Sequence, residues 1–417
     1  MCAMNLAEPL PTAESEKPPA AGWSEQGGEP GFEVVEEGPA LESLWRAFQD
    51  EGICSPYQRF DWVQSFAAAL AAAEGFRMQV LLLRGGDDRP LLLLPLAVRR
   101  QHGVTIASIV GGKQANFHLP LMAPGLSSRL AASRLQELLV AAGRDRLGVD
   151  CFVLRNQPLS WRGEANPLAA FGGSASVDVG YRLALGSDPE GMLTRSFSGE
   201  TRKKMRKKRR SLGEIGTVRF WRARSPAEAE TILSAFLDQK QHRFRELGIA
   251  NPFRGAVQTF LRAGSVAGLA SSRPAIELYA LSAGDRIVAT FGGAGDNWRL
   301  CGMFNSLDGS PDVARCSPGE LLLADLIRHQ CEIGRTMFDL GVGEAHYKTS
   351  LCDEVEPLID VFVPVTPQGR LYAAMAQRAV AAKRFVKHRP WALRAVNALR
   401  GVKAKARSSM TFRPSPD

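Results

Sequence analysis

The segment from Ala275 to Lys348 constrains the fold more than any other part of the chain. It reads, in order, as a hairpin, a strand, a polar loop, a capped helix start, a helix, a strand and a glycine turn. Ala275 to Leu281 and Arg286 to Gly293 are apolar-rich runs joined by the turn residues Ser282-Ala283-Gly284-Asp285. Trp298 to Asn305 is a third strand after Gly295-Asp296-Asn297. Ser317-Pro318-Gly319-Glu320 opens an amphipathic helix ending near Gly334, and Thr336 to Leu340 is the strand that follows. A meander that leads through a helix into one more strand predicts an α/β fold with mixed sheets.

The remainder divides by composition. Residues 1–31 are rich in Pro, Gly and Glu and are expected to be a disordered acidic leader without a signal peptide's basic start and apolar core. Residues 32–185 form a first α/β half, with helices from Leu41 and Ser55, a hairpin around Gly85-Gly86-Asp87-Asp88, and an amphipathic helix from Ser128 to Arg144. Residues 186–365 form the second half. A helix is predicted from Leu193 to Leu212, and Ser225-Pro226-Ala227-Glu228 starts another that runs toward Gly248. Residues 366–417 form a basic helical tail: twelve bases and one acid follow Thr366, whereas the first fifty residues hold ten acids and two bases. The net charge of +9 therefore belongs to the tail and one helix and not to the body of the chain.

Several classes are excluded at this level. The richest apolar run, Pro90 to Leu96, is far shorter than the ~20 residues of a membrane span and reads as a buried strand. Seven scattered cysteines without a CxxC pair argue for a reducing, cytoplasmic compartment. No histidine pair has ligand spacing, so no metal is expected.

The helix start at Ser317 is the first candidate site. A helix N-terminus offers unpaired amides and a positive dipole end, which together bind phosphate. Pro318 has no N–H, so Gly319 and Glu320 are expected to supply the amides. Ser317 and Arg315 flank the same anion, and Gly319 lets it approach the backbone. The plainer reading is a well-capped helix.

These segments resemble the GNAT acetyltransferase superfamily. More closely they resemble its branch associated with cellulose and exopolysaccharide biosynthesis, which is related to the Fem-type aminoacyl transferases. The resemblance rests on the basic helix Arg202 to Leu212, the hairpin end Ile287 to Gly292, Ser317-Pro318-Gly319 with Leu321-Leu322-Leu323, and Phe338-Asp339-Leu340-Gly341 with Tyr347-Lys348. The superfamily's usual pyrophosphate loop is absent, and Ser317-Pro318-Gly319 stands in its place. Weaker likeness at Asp61-Trp62 and Leu94-Pro95-Leu96 implies two tandem GNAT-like halves. The resemblance implies an acyl-CoA, normally acetyl-CoA, as donor, and direct transfer to an amine or hydroxyl, with a small molecule or glycan as acceptor. The alternatives are aminoacyl transfer from charged tRNA and a non-catalytic accessory role in an envelope-polysaccharide complex.

Direct transfer needs an acid for the leaving thiolate and a base for the nucleophile. Asp339, Glu344, His346 and Tyr347 gather at one strand end. Tyr347 stands where the superfamily carries its thiolate acid, Glu344 or His346 is the candidate base, and Asp339 either takes part or braces the glycine turn. Lys348, beside Tyr347, and His242, on the helix bordering the acceptor side, are candidate substrate contacts, although a lone histidine is more often a surface residue.

Two basic segments suggest partners. Eight of the nine residues from Arg202 to Arg210 are Lys or Arg, which fits a solvated face, an anion dock or nucleic acid. No aromatic interleaves them, which disfavours nucleic acid. Residues 371–402 alternate bases with Phe385, Trp391 and aliphatic residues and are split by Pro390. They suit peripheral contact with an anionic inner membrane, or a packing helix with a frayed end.

Overall fold

Two mixed sheets carry the chain in the structure, a computed structural model that describes residues 29–387 and Arg389. In the first, β1 (Gly31–Val35), β2 (Arg77–Arg84), β3 (Pro90–Gln101) and β4 (Val104–Ile109) form an antiparallel meander. β5 (Cys151–Pro158) then pairs β4 in parallel. The second sheet repeats the plan. β7 (Val218–Arg222), β8 (Glu277–Ala283), β9 (Arg286–Gly295) and β10 (Arg299–Leu307) form the meander, and β11 (Met337–Val342) joins β10 in parallel. A parallel neighbour requires a crossover, and a helix supplies it each time.

The halves exchange their closing strands. β6 (Gly180–Ala184), which precedes the second meander, pairs β11 and the short β12 (Glu354–Glu356) in the second sheet. β13 (Leu358–Pro364), which follows it, returns to pair β5 in the first. Each sheet is therefore completed by chain from across the expected boundary at 185/186.

The helices obey their caps. At Phe197 and Ser198 the expected helix from Leu193 to Leu212 is interrupted: Phe197 is extended, and Ser198 Oγ accepts from the Thr201 amide at 3.2 Å, so Pro189–Ser196 and Gly199–Gly213 are separate helices. The second of these is α3; α1 is Phe60–Glu74 and α2 is Ala132–Ala142. α4 (Pro226–Glu246) starts at Ser225, whose hydroxyl accepts from the Glu228 amide at 3.2 Å while Glu228 accepts from the Arg224 amide at 2.7 Å. α1 packs on α5 (Ala256–Val266), where Phe260 lies edge-on to Trp62 at 5.3 Å and to Phe66 at 5.4 Å. These rings are buried in one core shared by the two halves. Each fully buried aromatic contributes about 1.5–3 kcal/mol by area alone.

The two sheets differ where their parallel strands part. β4 and β5 pair only at Ile106/Cys151 and Ala107/Phe152. Beyond that point the loop from Val110 to Leu119 fills the gap. The His118 amide donates to Asn156 O at 3.1 Å, Asn156 Nδ2 to Asn116 O at 3.3 Å, and Val110, Phe117 and Leu119 are buried. The first half thus closes its own cleft with its own chain.

α6 (Pro318–Glu332), α7 (His346–Leu351) and α8 (Pro367–Lys387) complete the described helices used below. α8 packs Gly369, Ala373 and Val380 on the first sheet. The acidic leader through residue 28 and the tail from Pro390, with Trp391, lie outside the described residues.

Candidate active site

In the second half the corresponding cleft stays open. β10 and β11 pair at Arg299/Met337, Leu300/Phe338 and Cys301/Asp339, then diverge. Opposite β9, Gly292 faces Phe304 and Gly293 faces Gly302, which leaves Met303 unopposed in a β-bulge. The carbonyl of Gly302 is bonded instead by Asn116 Nδ2 from the first half at 2.9 Å. The same nitrogen donates to the Tyr57 hydroxyl at 2.8 Å. Gly341, at φ +84°, passes so close that a Cβ there would lie 3.0 Å from Asn116 Oδ1 and 3.1 Å from Gly302 O. A cavity of about 250 Å3 occupies the divergence, lined among others by Met303, Asn305, Lys240, Phe253 and Tyr347.

Below this cavity lies a buried charge cluster. Arg299 is fully buried, with Nη2 at 2.6 Å from both Asp339 Oδ2 and Glu356 Oε2. Its guanidinium lies over the rings of Phe117 at 5.0 Å and Trp161 at 4.8 Å, both from the first half. Asp339 Oδ1 accepts from the Gly341 amide at 2.6 Å. Both carboxylate oxygens of the buried Asp339 are therefore held, one by Arg299 and one by the Gly341 amide.

Of the other expected site residues, Tyr347 and Lys348 line the cavity. Tyr347 is 43% exposed, and burial of the part that packs on the cavity wall pushes its phenol above the usual tyrosine range, against an opposing hydrogen bond from Asn305. Lys348 Nζ donates to Val342 O at 2.9 Å, and burial lowers its pKa. Glu344, just before α7, and His346, its first residue, are exposed and are not among the lining residues. His242 points outward to Glu246 at 3.3 Å. Two residues earlier Lys240 enters the cavity instead, its pKa lowered by burial and by Arg243. Helical spacing carries this signal, because Phe236 is buried and the same face returns at 239–240 rather than at 242. Asn116 left no such trace, since it comes from a loop of the other half.

The helix start also departs from expectation. The Glu320 amide donates to Ser317 O at 3.1 Å, and the Glu320 carboxylate pairs with Lys208 at 2.7 Å, so Glu320 is not free to hold an anion. Gly319 is left as the first helical amide without a backbone acceptor among the described residues. Ser317 sits at φ +46°, an uncommon conformation for a side-chain-bearing residue. Arg315 is exposed nearby. α3 packs on α6 through Lys208–Glu320 and Arg209–Asp325, which places the basic helix beside this end. Arg202, Lys203, Arg206, Lys207 and Arg210 form no ion pair among the described residues. No group of three or more His, Cys, Asp or Glu among the described residues could hold a metal ion.

The second half thus carries a meander, a bulged strand and a splayed parallel partner followed by a tyrosine-bearing helix, and the first half repeats the meander and the parallel strand. Residues 199–349 match the acetyltransferase (GNAT) domain family. No curated protein matches the chain. Among solved structures, FemX superposes with a TM-score of 0.56 at 10% identity, covering 82% of this chain and 99% of FemX. That likeness is one of fold. The C-terminal domain of a putative lysylphosphatidylglycerol synthetase from Agrobacterium fabrum has a TM-score of 0.49 at 10% identity and covers 81% of this chain and 95% of its own. L-PGS from Bacillus licheniformis gives 0.49 at 12%, covering 86% and 99%.

Proposed function

We propose that the chain transfers an acyl group, normally acetyl, from CoA to an amine or hydroxyl of a small-molecule or glycan acceptor, in polysaccharide or cell-envelope assembly in the cytoplasm. The open divergence of β10 and β11 at Gly302 carries this reading, because a thioester can lie between strands only where they stop pairing. The unpaired backbone at Met303 is the candidate donor to the thioester carbonyl. Arg315, Ser317 and Gly319 would hold the phosphates of CoA. The acceptor attacks the thioester carbon, the C–S bond breaks, and Tyr347 gives its proton to the thiolate. Lys240, whose neutral form is favoured by burial, takes the proton from the acceptor. Asp339 and Lys348 hold the turn that carries Tyr347. The polysaccharide setting rests on the resemblance of the sequence segments alone.

A second reading, aminoacyl transfer from charged tRNA, is favoured by one observation: five bases of α3 without acid partners flank the phosphate end. Turnover separates the two. Thiol release from acetyl-CoA, stimulated by amino sugars or glycans, supports the first reading. Transfer from charged tRNA without thiol release supports the second.

A further inference from the structure

A second, larger cavity of about 350 Å3 lies between the halves at the opposite end of the second sheet from the acyl cleft. Its walls include the β9–β10 turn at Gly295–Asn297, whereas the acyl cleft begins at Gly302 on the same strand. Five arginines and three carboxylates face it. Their pairing is uneven.

Two of the arginines are satisfied. Arg335 binds Glu277 at 2.5 and 3.0 Å, Gln330 Oε1 at 2.6 Å and Asp296 O at 2.6 Å. Arg273 pairs with Asp50 at 3.0 Å. The other three lack a carboxylate at hydrogen-bond distance. Arg59 donates to backbone carbonyls only, to Arg273 O at 2.8 Å and to Pro274 O and Gly295 O at 3.4 Å. Arg222 comes no nearer to Glu277 than 3.9 Å, and its Nε is shielded from solvent without a partner. Arg162 stands 3.6 Å from Asp296 Oδ2, which is itself shielded and accepts no hydrogen bond. Buried polar atoms are normally paired, so an orphaned donor and an orphaned acceptor in one cavity wall point to a missing partner.

Water would answer the hydrogen bonds but not the charge. The excess of positive charge is felt by the neighbours. Burial pushes Glu277 up, yet Arg335 and then Arg222 outweigh it and hold the carboxyl down at about 2. Burial and then Arg222 lower the nearby His329. Arginine forks fit planar or tetrahedral oxyanions through paired N–H bonds.

We propose that this cavity binds a compact oxyanion, the phosphate or carboxylate of a small metabolite, between Arg162 and Arg222, with Asp296 Oδ2 accepting from a hydroxyl or amine of the same molecule. Arg162 comes from the hairpin Ser160–Trp161/Glu164–Ala165 of the first half and Arg222 from the end of β7 in the second. Such a ligand therefore bridges the halves. The inference does not depend on which donor the acyl cleft uses.

Calorimetric titration of the full chain in low-salt, phosphate-free buffer tests it, with inorganic phosphate, glycerol 3-phosphate and malonate as probes. Saturable binding of at least one is expected, tighter for glycerol 3-phosphate than for inorganic phosphate if Asp296 takes its hydroxyl. R162Q/R222Q should weaken it at least about tenfold, and R162K/R222K, which keeps the charge and loses the fork, should fall between. Y347F should leave it unchanged. No binding of any probe up to about 10 mM, equal binding by a folded R162Q/R222Q, or displacement by acetyl-CoA would each overturn the second site. The last outcome would assign these arginines to the donor's own phosphates.

Discussion

The carboxamide of Asn116 donates to the carbonyl of Gly302 at 2.9 Å, so a residue of the first half occupies the place a neighbouring strand vacates in the second. The first half fills its own cleft with the Val110–Leu119 loop, and the same loop reaches across to the open cleft of the second.

Asn116→Ala should therefore weaken donor binding as well as the fold. It strips a partner from Gly302 O and Tyr57 OH, a loss of about 1–3 kcal/mol in stability. The KM for acetyl-CoA should rise at least about tenfold. Parallel thermal melts and initial rates check this. A KM at the wild-type value would show that the cleft holds itself open.

Tyr347→Phe should lower kcat by about 10²–10⁴-fold with little change in KM. Burial raises the Tyr347 pKa, so the phenol stays protonated through neutral pH and the wild-type rate should decline only above the ordinary tyrosine range. Lys240 titrates in the other direction. Its lowered pKa means the rate should climb with pH until the amine is neutral, below the usual lysine value. Rate profiles of wild type, Y347F and Lys240→Met resolve the two limbs. An alkaline limb that survives in Y347F would remove Tyr347 from proton transfer.

Glu277 and Arg335 bear on stability. The folded-state pKa of Glu277 is about 2, below that of an unfolded glutamate near 4.3. The stability from this pair is thus fully present above the unfolded value and is lost as pH falls from about 4.3 through about 2. Arg335→Met leaves the buried Glu277 carboxylate with only the Tyr279 hydroxyl and the more distant Arg222, and should cost about 3 kcal/mol at neutral pH. It should also flatten the acid limb of the melting curve. Denaturant melts at pH 7 and pH 3 measure both effects, and an unchanged acid limb would contradict the assignment.

α8 tests the membrane contact. Its packed face holds Gly369, Ala373 and Val380, while Leu371, Met375 and Phe385 are exposed and Arg370, Arg378, Lys383, Arg384 and Lys387 add charge. No helix among the described residues is long and apolar enough to cross a membrane, so any contact through α8 is with the surface. L371E/M375E/F385E should lower binding to anionic vesicles at least about tenfold in a flotation assay. Binding that responds to salt but not to these changes would place the contact in the bases alone.

Periodicity and turn chemistry made the second half legible from sequence, down to the Ser-Pro-Gly helix start and the strand that carries Asp339. What stayed hidden depended on distance along the chain. Nothing near Asn116, Arg299 or Phe117 announces that they meet, because their contacts span most of two halves. The exchange of β6 and β13 is equally silent, since a short strand reads alike in either sheet. Lys240 was in view through its neighbour His242, and only the helical phase set by Phe236 separates them. Glu320 was expected to offer its amide, but an αL residue at Ser317 turns its own carbonyl onto that group.

Equilibrium binding of acetyl-CoA to the wild type and to Gly319→Val tests the donor assignment directly. A Cβ at Gly319 would meet only the Leu307 side chain, at 3.0 Å, and Leu307 is half-exposed and free to move, so the variant should fold. Saturable wild-type binding in the range of about 1 μM to 1 mM, reduced at least about tenfold in folded Gly319→Val, is the expected result. Absence of acetyl-CoA binding to the wild type, together with tight, salt-sensitive binding of charged tRNA that Gln substitutions at Arg202, Lys203, Arg206 and Lys207 abolish, would contradict it.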